Sequence, residues 1–391
     1  MTTDSPPPVA FSVPEVVVTG VGVATRVGEH AARLNATHAL VVTDPGVAEL
    51  GIADDAARHL ADAGVACVTF AGVTPDPTVE NVRDGLDLYR RHGCDLIVAV
   101  GGGSSIDCGK GIAVSLTNEG RLPEYMGVDK IPNPGAPLIA IPTTGGTGSE
   151  VTKVTVITDA DANVKVMMSS PNLLARVALV DPLLSITTPP KLTAAVGVDA
   201  LTHAIEAYVS RRANPITDGL ALQAIRMISG SLRRAWQDGA DLSARTEVML
   251  GACIAGMAFS NSSVALVHGM SRPIGAVFHV HHGLSNAVLL LDVMRFSLPG
   301  APERFADVAA AMGEGVDGVS ATAGADQAVE AVARLLADVE MPRLGAIGID
   351  RDAFEDAVTG MAEDAVASGS PANNPRHASA EDIVSLYRAC W

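Results

Sequence analysis

Short apolar runs alternate with amphipathic stretches along the first half of the chain. Residues 47–64 and 77–93 carry apolar side chains at helical spacing. Runs rich in β-branched residues predict five strands around them, at residues 13–20, 38–44, 65–72, 94–103 and 136–144. This alternation predicts a parallel sheet covered by helices, and residues 151–168 resemble a hairpin added to that sheet.

The pattern changes near residue 186. Pro182, Pro189 and Pro190 interrupt regular structure, and Ala- and Leu-rich helical patterns follow to the C-terminus. The chain has 391 residues, of which 48% are hydrophobic, which is more than one ordinary core needs. We therefore predict an α/β domain over residues 1–186 and an all-helical domain over residues 187–391.

Composition and charge argue against several kinds of partner and location. The net charge is −17 without a basic cluster, which argues against nucleic acid and anionic membranes as partners. The apolar runs are short and interrupted, so no membrane span is predicted, and the N-terminus lacks the features of a signal peptide. The five cysteines are scattered without a CxxC pair, so we expect reduced thiols in a cytoplasmic protein.

Two glycine-rich loops each follow a predicted strand. In GGGSSIDCGKGIA, which opens a helix, Gly101, Gly102 and Gly103 allow a phosphate to approach the backbone, and Ser104 adds a hydroxyl donor. This is not the GxGxxG fingerprint, and taken alone it is equally well explained as an ordinary tight turn. IPTTGGTGSEVT, at residues 141–152, is the second loop. Two such loops at neighbouring strand ends favour a dinucleotide site.

Asp44 ends the second predicted strand. A carboxylate at that place can accept hydrogen bonds from the adenosine ribose and would repel a 2′-phosphate, which favours NAD over NADP. The alternative is that Asp44 serves only as a turn residue or as the N-cap of a helix that begins at Pro45.

One aspartate and three histidines have spacings that suit a divalent metal. Asp199 and His203 are four residues apart, so both project from one face of a helix. His268 and His282 lie on either side of a helix break predicted at Pro273. One carboxylate with three imidazoles suits Fe²⁺ or Zn²⁺ and leaves a position open for a substrate oxygen. The alternatives are an exposed Asp–His contact and hydrogen-bonded core histidines.

Spacing alone leaves the last metal ligand open. His279 and His281 compete with His282 in HVHHGLSN. We prefer His282 because Gly283 follows it and allows close packing of the backbone. A metal site and a dinucleotide site in one chain indicate redox chemistry on an alcohol or an aldehyde.

Four stretches of the chain resemble, in order, the iron-containing (group III) alcohol dehydrogenase family. They are GGGSSIDCGK, PTTGGTGSEVT, GVDALTHAIEAY and HGM…HGLSNA. The resemblance implies an α/β dinucleotide domain followed by a helical metal domain, with the active site in the cleft between them. It also implies a homo-oligomer and metal-assisted hydride transfer between NAD and a short primary alcohol or its aldehyde.

The resemblance assigns roles to individual residues. The implied metal ligands are Asp199, His203, His268 and His282. Phe259 corresponds to an aromatic residue near the substrate pocket, and Asp44 to the position linked to NAD preference. The other implied cofactor contacts are Gly101, Gly102, Gly103, Ser104, Asp107, Lys110, Thr143, Thr144, Thr147, Ser149 and Lys165.

Three positions depart from the family pattern. Arg272 stands where many members have a histidine assigned to proton relay or pocket lining, and His281 is a candidate replacement. Lys153 stands where apolar residues or proline are common. Arg272 and Lys153 together suggest an alternative substrate, a short aldehyde with an anionic tail held by the guanidinium fork. The competing interpretation pairs Arg272 with an acidic residue and leaves Lys153 solvated.

Two other classes of protein share some of these features. Dehydroquinate synthase relatives combine a dinucleotide with a metal, but their ligand pattern and basic substrate pocket differ. A non-catalytic NAD-binding sensor would not require the metal ligands for its function. The complete ligand set favours the dehydrogenase.

Overall fold

The strands all lie in the first half of the part of the chain that the structure describes. The structure is a computed structural model that describes residues 8–162 and 164–391. The strands are β1 (Val16–Thr19), β2 (His38–Val42), β3 (Ala66–Phe70), β4 (Leu96–Gly101), β5 (Gly127–Val128), β6 (Leu138–Pro142), β7 (Val154–Asp159), β8 (Val164–Ser169) and β9 (Val177–Val180). Each of the five predicted strands is confirmed with shorter ends.

Six of the strands form one parallel sheet in the order β1-β9-β6-β4-β2-β3. Every residue of β4, β6 and β9 is buried, which is typical of parallel strands covered by helices on both faces. The hairpin predicted at residues 151–168 is confirmed as β7 paired antiparallel with β8, and β5 extends it to three strands. The sequence did not predict β9, because its four residues adjoin the proline-rich boundary stretch.

Five α-helices accompany the large sheet and nine follow it in the described residues. Those of the first half are α1 (Val27–Arg33), α2 (Pro45–Glu49), α3 (Ile52–Asp62), α4 (Val79–Arg91) and α5 (Gly103–Ser115). Those of the second half are α6 (Pro190–Val209), α7 (Pro215–Gln237), α8 (Leu242–Asn261), α9 (Leu266–Phe278), α10 (His282–Ser297), α11 (Pro302–Ala311), α12 (Ala321–Asp338), α13 (Arg351–Ala367) and α14 (Ala380–Cys390). The predicted fold class, an α/β half followed by an all-helical half, is confirmed.

Two local predictions about helices are wrong. The single helix expected over residues 47–64 is interrupted at Gly51, whose φ of +74° separates α2 from α3. The break predicted at Pro273 does not occur, because α9 continues through this residue to Phe278. Pro273 and Ile274 are buried. Packing of this buried face outweighs the loss of one backbone hydrogen bond at the proline.

A short connection separates the two halves. β9 ends at Val180, a 3₁₀ turn covers Pro182–Ser185, and α6 begins at Pro190. The division that we predict at residue 186 falls within this connection and stays a prediction about domain organisation.

Among the described helices, α8 alone has a length and composition that would allow it to cross a membrane. More than half of its apolar window is buried inside the protein. The core helix of a globular protein meets the same criterion, so α8 is weak evidence for a span.

The loop at residues 143–152 packs tightly against the helical half. A Cβ atom on Gly148, whose φ is +62°, would lie 2.7 Å from the Cα atom of Gly256 in α8. A Cβ atom on Gly146 would lie 2.6 Å from the Cβ atom of Val196 in α6. The glycines of this loop therefore allow the two halves to approach each other closely.

Candidate active site

Helix α6 carries three ionisable side chains on one buried face. Asp199, His203 and Glu206 follow at spacings of four and three residues, so they lie above one another along the helix. They are 1%, 5% and 3% exposed. Pro190 at the start of α6 is favourable because the first helical N–H group has no partner within the helix.

Helices α9 and α10 bring His268 and His282 to this face. One possible ligand atom from each of Asp199, His203, His268 and His282 lies within 4.8 Å of all the others. Asp199 Oδ1 is 3.9 Å from His203 Nδ1, 3.6 Å from His268 Nε2 and 3.9 Å from His282 Nε2. Ligands bonded to one tetrahedral metal at about 2.1 Å are separated by roughly 3.4 Å. The structure thus brings together the four predicted ligands with nearly the required spacing, and we call these four residues the metal cluster.

The buried polar atoms of the cluster fit a metal ion. His203 Nδ1 is buried and has no hydrogen-bond partner among the described residues. Its ring is stacked between Phe259, at a centroid distance of 4.2 Å, and His268, at 4.4 Å. A buried imidazole nitrogen without a partner is costly, and a metal ion would satisfy it. A carboxylate with three imidazoles is also a donor set that Fe²⁺ and Zn²⁺ accept.

The protonation preferences of Asp199, His203 and His282 suit metal binding. Burial opposes ionisation of Asp199, but the neighbouring His203, His282 and His268 hold the pKa of its carboxyl well below the usual range. Burial lowers the pKa of His203 to about 3 and also lowers the pKa of His282. Neutral imidazoles and an ionised carboxylate are the forms that bind metals. His282 keeps 43% of its side chain exposed, so the cluster is open to solvent on that side.

Glu206 belongs to the site, although the sequence analysis did not single it out. Its Oε2 atom lies 2.6 Å from His268 Nδ1. Burial would lower the pKa of His268, but the carboxylates of Glu206 and Asp199 raise it overall. The signal was present in GVDALTHAIEAY, because Glu206 follows His203 by three residues and shares its helix face.

Asn286 is a second residue that the sequence analysis missed. Its Nδ2 atom donates to Asp199 Oδ1 at 2.6 Å and lies 3.1 Å from His268 Nε2 and 3.2 Å from His282 Nε2. Asn286 follows His282 by four residues in α10, so both side chains point to the same face. The amide therefore contacts three of the four proposed ligands.

The other histidines of HVHHGLSN lie outside the metal cluster. His279 is exposed and adopts a left-handed conformation at the end of α9, with a φ of 54°. His281 is exposed at the N-cap of α10, and its carbonyl accepts a hydrogen bond from Ser285. Neither contributes an atom to the cluster, which favours His282 among the three.

Arg272 lies one helical turn after His268 in α9. Its Nη1 atom donates to Ser370 Oγ at 2.9 Å. Burial lowers the pKa of Arg272, and the nearby carboxylate of Glu206 opposes this shift. The positive charge of Arg272 in turn contributes to the low pKa values of His203 and His282. The guanidinium is therefore close to the metal cluster. It is also close to Glu206, an acidic residue of the kind that the competing interpretation requires.

The proposed nucleotide loops follow adjacent strands of the large sheet. β2, β4 and β6 are neighbours, so Asp44, Gly101 and Thr143 follow one another along the carboxyl edge. α3, after β2, packs on one face of the sheet, whereas α5, after β4, packs on the other. Connections that leave adjacent strands towards opposite faces open a crevice, where α/β proteins bind ligands.

The start of α5 fits a pyrophosphate. Among the described residues, no side chain caps this helix, so its first N–H groups are available to an anion. Gly101 has a φ of +149°, which favours glycine. A Cβ atom on Gly103 would lie 2.9 Å from Thr147 Cγ2, and one on Gly102 would lie 3.6 Å from Thr144 Oγ1. The glycines thus allow the two loops to lie side by side.

Asp107, Lys110 and Ser149 form a buried network beneath the loops. Asp107 accepts hydrogen bonds from Ser149 Oγ at 2.6 Å and from the Val156 N–H group at 2.9 Å. Lys110 Nζ donates to Ser149 Oγ at 3.1 Å and to the carbonyl of Thr152 at 2.9 Å. Burial lowers the pKa of Lys110 to about 8. These hydrogen bonds stabilise the second loop. Contact of these groups with a cofactor stays a prediction.

Several other predicted cofactor residues form hydrogen bonds or ion pairs with other residues of the protein. Asp44 caps α2 by accepting from the Val47 N–H group at 3.0 Å, as the alternative interpretation holds, and also accepts from Ser105 Oγ at 3.1 Å. The Ser104 hydroxyl donates to the carbonyl of Pro75. Lys165 forms an ion pair with Asp76 at 2.8 Å.

Lys165 and Lys153 differ in the charges that act on them. Lys165 pairs with Thr158 across the ladder, and its charge lowers the pKa of His282. Lys153 lies one residue before β7 and is half-buried. The charges that act on Lys153 are those of Asp129 and Arg212, and burial lowers its pKa. The charge of Lys165 therefore acts on the metal cluster, and no such effect of Lys153 is seen among the described residues.

Comparison with known proteins gives one consistent result. Residues 14–182 match the family model for iron-containing alcohol dehydrogenase, and residues 193–391 match the C-terminal model of the Fe-containing alcohol dehydrogenase family. The chain is 43% identical over 384 residues to a 1,3-propanediol dehydrogenase of Citrobacter freundii, covering 97% of this chain and 98% of that protein. It is 36% identical over 379 residues to an NAD-dependent methanol dehydrogenase of Bacillus methanolicus, covering 97% and 98%.

A solved structure agrees with these matches over the whole fold. The crystal structure of a 1,3-propanediol oxidoreductase superposes with a TM-score of 0.96 at 42% identity. The match covers 98% of this chain and 100% of that chain.

Replacement of His203 by alanine tests the metal cluster. Metal added to the metal-free wild type at about 100 times its Kd should raise the free energy of unfolding by about 2.7 kcal/mol. In H203A the same metal concentration should give little increase, because one of four ligands is lost. The increase is measured by thermal or denaturant unfolding of each variant with and without metal.

His279→Asn is the matched control for this experiment. Asparagine tolerates the left-handed conformation of residue 279, which lies outside the cluster, so H279N should show the full increase. Loss of the increase in H279N with retention in H203A would contradict the assignment.

Proposed function

The chain belongs to the iron-containing alcohol dehydrogenase family and is an oxidoreductase acting on CH–OH groups, and from this premise we propose how its site works. It is a metal-dependent, NAD(H)-linked alcohol dehydrogenase that interconverts a short primary alcohol and its aldehyde, and Fe²⁺ is the proposed metal, with Zn²⁺ as the alternative. The observation that carries this proposal is the convergence of Asp199, His203, His268 and His282.

The residues of the chain would have distinct tasks in the reaction. When bound, the metal supplies Lewis-acid polarisation of a substrate oxygen, and the dinucleotide supplies hydride transfer. Asp199 and the three histidines would hold the metal, and the open side at His282 admits the substrate. Phe259, stacked on His203, covers the cluster and helps to exclude water.

The two glycine-rich loops would hold the cofactor next to this cluster. The free N–H groups at the start of α5 would bind the pyrophosphate, with Gly101, Gly102 and Gly103 allowing close approach. Thr143, Thr144 and Thr147 extend this surface along the next strand end, and Lys165 lies towards His282.

We also propose a cytoplasmic homo-oligomer. The free state of all five cysteines agrees with a reducing compartment, and four of them are buried. The proposal of a homo-oligomer rests only on membership of the family.

We propose His281 as the residue that relays protons between the site and solvent. Arg272 occupies the place of the family histidine, and a guanidinium stays charged and does not transfer protons near neutral pH. His281 is exposed beside the ligand His282, so it can exchange protons with solvent. His281 is therefore the proposed proton relay in place of the family histidine.

The direct test of the function is NADH oxidation with short aldehydes by Fe²⁺-loaded protein. Chelation should abolish the activity, and added Fe²⁺ should restore it. H268A should lower kcat/KM by about 10³-fold, which corresponds to the roughly 4 kcal/mol expected from losing metal catalysis. H279N should retain wild-type kinetics. Unchanged activity in H268A would contradict a role for the cluster.

Asp44→Ser tests the proposed preference for NAD. Serine retains the N-cap of α2 but removes the negative charge that would repel a 2′-phosphate. The ratio of kcat/KM with NADH to that with NADPH should therefore fall at least tenfold, or about 1.4 kcal/mol. Asp241→Ser, which alters the N-cap of α8, controls for stability and should leave the ratio unchanged. An unchanged ratio in D44S would assign Asp44 to capping alone.

A second candidate substrate is a short aldehyde with an anionic tail, such as a semialdehyde or a sulfo- or phosphono-aldehyde. A guanidinium has five N–H donors, and in the described residues Arg272 uses one of them for Ser370. The charge also lies close enough to affect His203 and His282. Arg272 therefore carries this proposal, whereas the position of Lys153 gives it no support.

Arg272→Leu distinguishes the two substrate classes. With aldehydes of matched length, R272L should lower kcat/KM for anionic substrates by about 10- to 100-fold, as expected for a lost charged hydrogen bond. Neutral aldehydes should be affected little. Lys153→Met is the control and should leave the discrimination unchanged. Equal losses of R272L on neutral and anionic aldehydes would return Arg272 to a structural role.

A further inference from the structure

We propose that Glu206 is a positioning residue that orients His268 for metal binding and fixes the start of α9 against α6. The inference rests on the proposed metal-dependent function. It concerns a carboxylate that does not itself belong to the ligand cluster.

The carboxylate of Glu206 makes three contacts with one short segment. Oε1 accepts a hydrogen bond from the Val267 N–H group at 2.6 Å. Oε2 accepts from the Ala265 N–H group at 2.9 Å and lies 2.6 Å from His268 Nδ1. Ala265 is the N-cap of α9, so these N–H groups have no acceptor within the helix. A carboxylate is also the charge that a helix N-terminus favours.

These contacts determine which nitrogen of His268 faces the cluster. An ionised carboxylate can only accept hydrogen bonds, so His268 Nδ1 must carry the proton. In the neutral imidazole, which is the form that binds a metal, Nε2 then keeps its lone pair, and it lies 3.6 Å from Asp199 Oδ1. Histidine ligands are commonly fixed in this way by a carboxylate on the second ring nitrogen.

The arrangement connects two helices through one side chain. α6 supplies Asp199 and His203 directly and orients His268 through Glu206. The positive charge of Arg272 also acts on Glu206, which offsets the cost of burying the carboxylate. A shift of α9 relative to α6 would therefore disturb both the helix start and the third ligand.

The competing explanation is that Glu206 only caps a helix. Asp181 offers a matched control because it has the same chemistry without a histidine. It is 2% exposed and accepts hydrogen bonds from the N–H groups of Gly22 and Ala24 at 3.0 Å and of Leu183 at 3.1 Å. Both Asp181→Asn and Glu206→Gln place an amide where backbone N–H groups require an acceptor.

The experiment measures Zn²⁺ affinity and stability on the same full-length variants. Metal-depleted wild type, E206Q, E206D and D181N are titrated with Zn²⁺ against a chromophoric chelator, and their unfolding is measured without metal. E206Q should bind Zn²⁺ 10- to 100-fold more weakly than wild type, the range expected when the partner of a histidine ligand is lost. E206D keeps the charge with a shorter reach and should give an intermediate affinity. D181N should lose stability but keep the wild-type affinity.

The outcomes separate this inference from the proposed function. If the wild type binds Zn²⁺ tightly and E206Q binds it equally well, Glu206 is only a helix cap and the inference fails while the function stands. If the wild type itself does not bind Zn²⁺, the proposed metal site fails.

A measurement on the zinc-loaded wild type does not depend on the folding of any variant. Spectra of ¹⁵N-labelled imidazoles should show His268 with a proton on Nδ1 and zinc on Nε2. Zinc on Nδ1 of His268 would overturn the inference.

Discussion

The burial of the Asp199 carboxylate is the constraint on which the site depends. A charge that is removed from water costs several kcal/mol unless polar partners surround it. His203, His268, His282 and Asn286 supply those partners from α6, α9 and α10. These three helices must therefore converge on one point, and the same convergence produces a ligand set for a divalent metal.

The helical half and the sheet are linked by the loop at residues 143–152. Gly148 of this loop approaches Gly256 of α8 so closely that neither position has room for a side chain. On its other side the loop contacts Gly103 of the proposed pyrophosphate site through Thr147. The two glycine-rich loops and the helices that carry the proposed metal ligands are thus held in one packed unit, which hydride transfer requires because the reacting groups must meet at short distance.

Sequence patterns predicted the parts of the molecule that are determined by residues close together in the chain. Seven of the nine described strands, the two loops and the pair Asp199–His203 follow from periodicity and spacing. The path of α9 through Pro273 did not, because it depends on tertiary packing that outweighs a local signal. Helical spacing places Glu206 on the face of His203 and Asn286 on the face of His282, but the contacts of Glu206 with His268 and of Asn286 with Asp199 join different helices, and only the fold brings these together.

The central claim is direct hydride transfer at the metal cluster, and isotope transfer tests it most directly. Fe²⁺-loaded protein would be given a short aldehyde and NADH that carries deuterium on the transferred position of C4. The account predicts that deuterium appears on the carbinol carbon of the alcohol and that chelated protein forms no labelled product. Unlabelled alcohol formed with deuterium lost to water, or equal labelled product from the chelated protein, would contradict it.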